Sequence, residues 1–200
     1  MSLRFKIFTA IFIIFLFGVG AYFFILNKER KEGTQFNFKT ETTSRATILG
    51  DGFKKFSHPK YNFSLEYPEE LGIEAFRETD DAETVIFKKL GQNESTPREE
   101  KIGFQIFIAP FEEGEKGPLT TERILEDVQF LTIDEPQEVI LGISSSEEEV
   151  RALIFLSDDP DIGKTREVWF THGGYLYEIT TYAHLDSWLA QILSTLTFTQ

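Results

Sequence analysis

From Ile7 to Leu26 the chain runs for twenty residues without a charge, and 14 of them are Phe, Ile, Leu or Val. At about 1.5 Å per residue a helix of that length matches a ~30 Å hydrocarbon core. At roughly 0.3 to 0.6 kcal/mol each, those side chains supply about 4 to 8 kcal/mol toward insertion. The run predicts a transmembrane helix. From Asn27 to about Arg45 the chain turns polar with no sustained apolar period, and Thr40-Glu41-Thr42-Thr43-Ser44-Arg45 reads as a spacer. The organisation expected is a short tail (1–6), an anchor (7–26), a linker (27–45) and one soluble domain (46–200).

Within that domain the dominant period is two. Tyr61, Phe63, Leu65 and Tyr67 alternate with Asn62, Ser64 and Glu66 before Pro68, the mark of a half-buried strand. Ile102, Phe104, Ile106 and Ile108 repeat the pattern before Pro110. Val150, Ala152, Ile154 and Leu156 do so again, and because Leu153 and Phe155 between them are also apolar, both faces of this strand are expected to be covered. Shorter strands are predicted over Glu83 to Leu90 and Glu138 to Ile143.

Between Val168 and Tyr182, Gly173-Gly174 separates two aromatic-rich runs and supplies the positive φ angles of a two-residue hairpin turn. That register sets His172 opposite Tyr175, Phe170 opposite Tyr177 and Val168 opposite Ile179, with Trp169 and Leu176 on the other face. Helical spacing occurs twice. Thr120 or Thr121 caps a segment with Ile124, Leu125 and Val128 on one side, and Asp186 caps a second whose stripe is Trp188, Leu189, Ile192, Leu193 and Leu196. Strands sparsely interleaved with helices and joined by tight turns predict α+β architecture with an antiparallel sheet flanked by helices.

Tyr61-Asn62-Phe63-Ser64-Leu65-Glu66-Tyr67-Pro68 resembles the opening strand of PsbP-like domains. Arg166 to Thr181, followed by Trp188 to Phe198, resembles their closing hairpin and helix, so the likeness spans about Phe56 to Gln200. Leu71 stands where such domains often carry Trp after the Tyr-Pro pair. The resemblance implies an α/β/α sandwich, usually extracytoplasmic and usually not enzymatic. The photosystem role of the namesake subunit is not implied, because no segment here resembles a photosystem-docking one.

Arg4 and Lys6 face Lys28, Arg30 and Lys31 across the apolar run, so flanking charge is nearly balanced. Long C-terminal domains translocate largely regardless of their own charge. With the resemblance, this predicts a single-pass signal anchor with a cytoplasmic N-terminus and an extracytoplasmic domain. A cleaved secretory signal would need small residues at its end, and Gly18-Val19-Gly20 is the one candidate. Cleavage there would leave an apolar Ala21 to Leu26 terminus, and no Cys is present for lipidation. An acidic residue of the kind found inside pilin assembly helices is absent from the run.

The first 32 residues carry 5 basic and 2 acidic side chains, which leaves 15 basic against 31 acidic in the remainder. Such a surface repels nucleic acid and anionic lipid heads; its acidic excess reads first as solubility, with cationic partners or divalent ions as the alternative. Zero Cys excludes disulfides, thiol nucleophiles and Cys-based metal sites.

Candidate chemistry is sparse. Gly163-Lys164-Thr165 imitates the end of a phosphate loop, but position 158 is Asp and the following residues read as strand. Gly142-Ile143-Ser144-Ser145-Ser146 lacks the second Gly of a nucleophile elbow. Asp158, Asp159 and Asp161 could gather oxygens around calcium but lack the alternation and terminal Glu of an EF-hand loop, so a solvated hairpin turn is favoured. His58, His172 and His184 lack helical ligand partners, and turn or surface roles are expected for all three. His172 and His184 join the three Asp as the metal-site candidates. Tyr175 and Tyr177 read as core.

No cofactor is expected. The function these readings support is a membrane-anchored, non-catalytic binding or assembly module with a protein partner in the cell envelope. The competing class is a metal-dependent sensor or enzyme whose site is assembled from dispersed carboxylates and histidines.

Overall fold

The computed structural model describes residues 52–78, 81–111, 119–128, 131–143, 149–159 and 162–198. The apolar run 7–26, the linker 27–45 and the start of the domain lie outside the described residues. No helix among the described residues is long and apolar enough to cross a membrane.

Two sheets share one core. β1 (Phe53–His58) and β2 (Phe63–Pro68) form a hairpin, and the chain then enters β3 (Leu71–Arg77), β4 (Glu83–Lys89) and β5 (Gly103–Pro110). A short helix, α1 (Thr121–Asp127), precedes the long strands β6 (Asp134–Ile143), β7 (Glu149–Asp159) and β8 (Gly163–His172). β9 (Tyr175–Tyr182), helix α2 (Asp186–Leu193) and the two-residue β10 (Thr197–Phe198) complete the described chain. The large sheet has the order β3-β4-β5-β9-β8-β7-β6, and the small one β1-β2-β10; all pairs are antiparallel.

The Gly-Gly hairpin has the expected register. Gly173 and Gly174 take φ of 59° and 81°, and His172, Phe170 and Val168 lie opposite Tyr175, Tyr177 and Ile179. Strand alternation then splits the large sheet into two faces. One carries Val85, Phe87, Phe104, Ile106, Ile108, Ile154, Val168, Phe170, Tyr177 and Ile179, packed against α2 and the small sheet. The other carries Phe155 and Trp169 under Ile124 of α1 and Val128 just past its end. β7 is thus covered on both faces, as its uninterrupted apolar sequence requires.

Several expectations need correction. The small sheet was not foreseen: β1 lies outside the period-two segments, and β10 joins β2 only after α2 has crossed the core, pairing Thr197 with Ser64 and Phe198 with Phe63. Pro110 ends inside β5 rather than stopping it short. Thr120 does cap α1, accepting from the Arg123 amide, but Leu125 is exposed, because a helix of seven residues presents only a narrow stripe. Asp186 does not cap α2. Leu185 holds the cap position without a side-chain bond, and the Asp186 carboxylate is taken by Arg166. Trp188 is half-buried at the rim, edge-on to Phe104 at 5.9 Å, while Leu189, Ile192 and Leu193 carry the buried stripe.

Candidate functional site

His58 ends β1 where the chain must reverse into β2, and the reversal is tight: Asn62 sits at φ 52° and its amide donates to the His58 carbonyl at 3.1 Å. This folds the imidazole inward. His58 is 7% exposed, stacked on Phe63 with ring centres 5.5 Å apart and tilted against Tyr61 at 4.7 Å. The surface role expected for it is therefore wrong; its aromatic neighbours supply an apolar shelf that a sequence window does not show.

Both imidazole nitrogens are engaged. Nδ1 accepts from the amides of Lys60 and Tyr61 at 3.3 and 3.4 Å, which assigns the proton to Nε2, and Nε2 donates to Glu83 Oε1 at 3.3 Å. A histidine that orients a carboxylate on one side resembles half of a catalytic relay, but a general base needs its second nitrogen facing a substrate. Here two backbone amides occupy it. Beside the pair, the Tyr61 hydroxyl donates to the Asp81 carbonyl at 3.2 Å, Lys60 lies over the Tyr61 ring at 4.9 Å, and Tyr175 meets that ring edge-on at 4.9 Å. Burial raises the Tyr61 phenol above its ordinary range, and the neighbouring Lys60 opposes that shift.

A second polar group sits on the face of the large sheet that α1 partly covers. Register places Ser157, Thr165 and Tyr182 in one row across β7, β8 and β9, and Phe155, Glu167, Thr180 and Gln105 in the next. Glu167 is buried, and its Oε2 accepts from Thr180 Oγ1 at 2.7 Å and Trp169 Nε1 at 3.2 Å. Glu178, opposite Trp169, is buried on the same face. Sequence reasoning missed both carboxylates, although Glu in the middle of an otherwise apolar strand was the available signal. On the opposite face Arg166 grips Asp186 through two bonds.

Among the described residues the metal-site candidates are not brought together. Asp158 is exposed and pairs with Lys164, Asp159 stands opposite Gly163, and Asp161 lies outside the described residues. His172 ends β8 with its ring 4.1 Å from Phe198, whereas His184 is exposed and stacked on Tyr182 at 5.6 Å. Among the described residues no three His, Cys, Asp or Glu are grouped so as to hold a metal ion. The Gly163-Lys164-Thr165 segment is the start of β8, as its strand-like continuation predicts. Gly163 is required there by φ 83° and by the Arg98 guanidinium lying against it, not by a phosphate.

No family model and no curated protein matches this chain. Among solved structures it is similar to the solution structure of cyanobacterial PsbP (CyanoP) from Synechocystis sp. PCC 6803, at 12% identity and a TM-score of 0.44. That similarity covers 79% of this chain and 99% of the other. A likeness this loose carries nothing about function, and the architecture described above rests on the strand pairing of this chain itself.

Proposed function

We propose that this protein is a single-pass membrane protein with a cytoplasmic N-terminus, whose extracytoplasmic PsbP-like domain is a non-catalytic binding or assembly module of the cell envelope. The observation that carries the reading is the state of the chemically capable side chains. His58 is closed by Glu83 on one side and two amides on the other, Glu167 by Trp169 and Thr180, and Asp186 by Arg166. Each of these groups holds two parts of the fold together. The charge-free run Ile7 to Leu26 supports the anchor, and the PsbP-like strand, hairpin and helix motifs support the side of the membrane and the module class.

The test has two arms. In membranes from the native cell, the chain resists alkaline extraction and begins near Met1, and added protease digests the domain once outer barriers are opened while the cytoplasm stays intact. An N-terminus at Ala21, or protection until cytoplasmic lysis, would overturn the anchor or its orientation. In the second arm, crosslinking in intact membranes captures a discrete protein partner in stoichiometric yield. Metal-stimulated turnover of a small substrate by the purified chain would instead favour the sensor or enzyme class.

A further inference from the structure

Sheet edges invite additional strands unless something blocks them, and the two sheets of the described residues present four edges, β6, β10, β1 and β3. β6 contains Pro136, Glu135 at φ 53° and two register shifts. β10 is two residues long, and β1 presents exposed Lys54 and Lys55. Among the described residues β3 has no bulge, proline or register shift: Leu71 to Arg77 pair with β4 residue by residue, and its exposed charged side chains, Glu74 and Arg77, are of opposite sign where those of β1 are both positive.

The ladder also fixes which peptide groups face outward. Leu90 donates to the Glu70 carbonyl at 3.2 Å and Glu78 donates to the Ala82 carbonyl at 3.0 Å, so the two bonds that bracket β3 both involve its even-numbered residues. Hydrogen-bonded positions alternate in an antiparallel pair. The N–H and C=O groups of Leu71, Ile73, Ala75 and Arg77 therefore point away from β4. Beside them Phe76 is 44% exposed on the face it shares with Ile86.

Charge selects the occupant. Glu69 and Glu70 precede the strand, and Glu78 and Asp81 follow it. Lys88 and Lys89, the nearest cations on β4, are drawn to Glu74 at 2.6 Å and Glu70 at 3.9 Å. A second copy docked antiparallel would bring its own Glu69 and Glu70 against Glu78 and Asp81, with Arg77 the one cation on the strand itself to offset them, a net like-charge arrangement that opposes pairing. We propose that β3 is a docking edge that takes an extended segment of a different protein, apolar at alternate positions and flanked by Lys or Arg, as an eighth strand of the large sheet. The proposal rests on the binding-module reading and assigns its surface.

The test uses the purified full chain in nanodiscs and a labelled peptide, Lys-Lys-Val-Thr-Val-Thr-Val-Lys-Lys, with a version carrying Glu in place of every Lys. The lysine peptide binds by fluorescence anisotropy, the glutamate peptide at least about tenfold more weakly, and amide exchange slows at Ile73, Ala75 and Arg77. Ala75→Pro removes an outward N–H while leaving the β4 bonds in place, and weakens binding about tenfold or more. If that variant fails to fold, the double variant Glu69→Gln with Asp81→Asn serves instead and weakens binding severalfold. No binding of the lysine peptide, equal binding by folded Ala75→Pro, or a dimer abolished by Ala75→Pro would overturn the proposal. Membrane crosslinking to a partner in undiminished yield by Ala75→Pro would overturn the β3 edge while leaving the binding-module reading standing.

Discussion

Arg166 on β8 and Asp186 in the first turn of α2 are joined by two parallel bonds, Nε to Oδ1 at 2.9 Å and a terminal nitrogen to Oδ2 at 3.0 Å. The pair pins the helix to the sheet at the point where the chain leaves β9. Both side chains are largely shielded, at 7% and 17% exposure, so the bond is not a solvent-screened surface contact.

Removing one partner should therefore cost far more than removing both. Asp186→Ala leaves the Arg166 guanidinium buried without its carboxylate and is expected to destabilise the domain by about 3 to 5 kcal/mol. Arg166→Met combined with Asp186→Leu should recover most of that loss. Urea denaturation of the four chains in the cycle checks it, and additive effects would contradict the coupling.

The α2 stripe yields an ordering that residue size alone would reverse. Ile192→Ala, at a position 1% exposed, should cost about 2 to 5 kcal/mol, whereas Trp188→Ala at the rim should cost about 1 to 3 kcal/mol. Denaturant midpoints decide between this order and one in which Trp188 dominates.

Alkaline pH should weaken the fold. Burial is the first cause holding the phenols of Tyr177 and Tyr182 far above their ordinary value of 10.0. Their neutral form is the one the native state favours, so the stability they contribute is complete below about pH 10, where the unfolded phenol is also neutral, and is lost as pH rises above it. Unfolding midpoints measured between about pH 8 and 12 should fall above 10, and Tyr177→Phe should flatten part of that fall. A flat profile in the unsubstituted chain would refute the assignment.

At the hairpin, a Cβ on Gly173 or Gly174 would meet no atom within 4 Å, so any penalty there is conformational. Gly174→Val should cost about 1 to 2 kcal/mol through its positive φ, and Gly173→Asn only a few tenths. Thermal denaturation of both variants separates backbone strain from crowding, since the larger side chain has open space in either case.

What the sequence alone determined is what lies within one hairpin or one helical turn. Gly173-Gly174 set the β8–β9 register because a two-residue loop leaves the pairing no freedom, and the alternation around it then assigned Val168, Phe170, Tyr177 and Ile179 to one face. Thr120 was legible as a cap, and the antiparallel α+β class followed from short, turn-bounded strands. The tertiary structure decided whatever depends on segments distant in sequence. His58 meets Glu83 across 25 residues and Ser64 meets Thr197 across 133, so neither the burial of the histidine nor the pairing of β2 with β10 left a local trace. Asp186 shows the limit most directly: its position predicts a cap, but Arg166 from the neighbouring strand offers two charge-assisted bonds where an N-terminal amide offers one weaker bond, and the carboxylate goes to the arginine. The same reason hid Glu167 and the place of β3 at the edge of the described sheet. A carboxylate's partner and a strand's missing neighbour are properties of the assembled sheet, where pairing depends on which segments meet and not on the residues of either one.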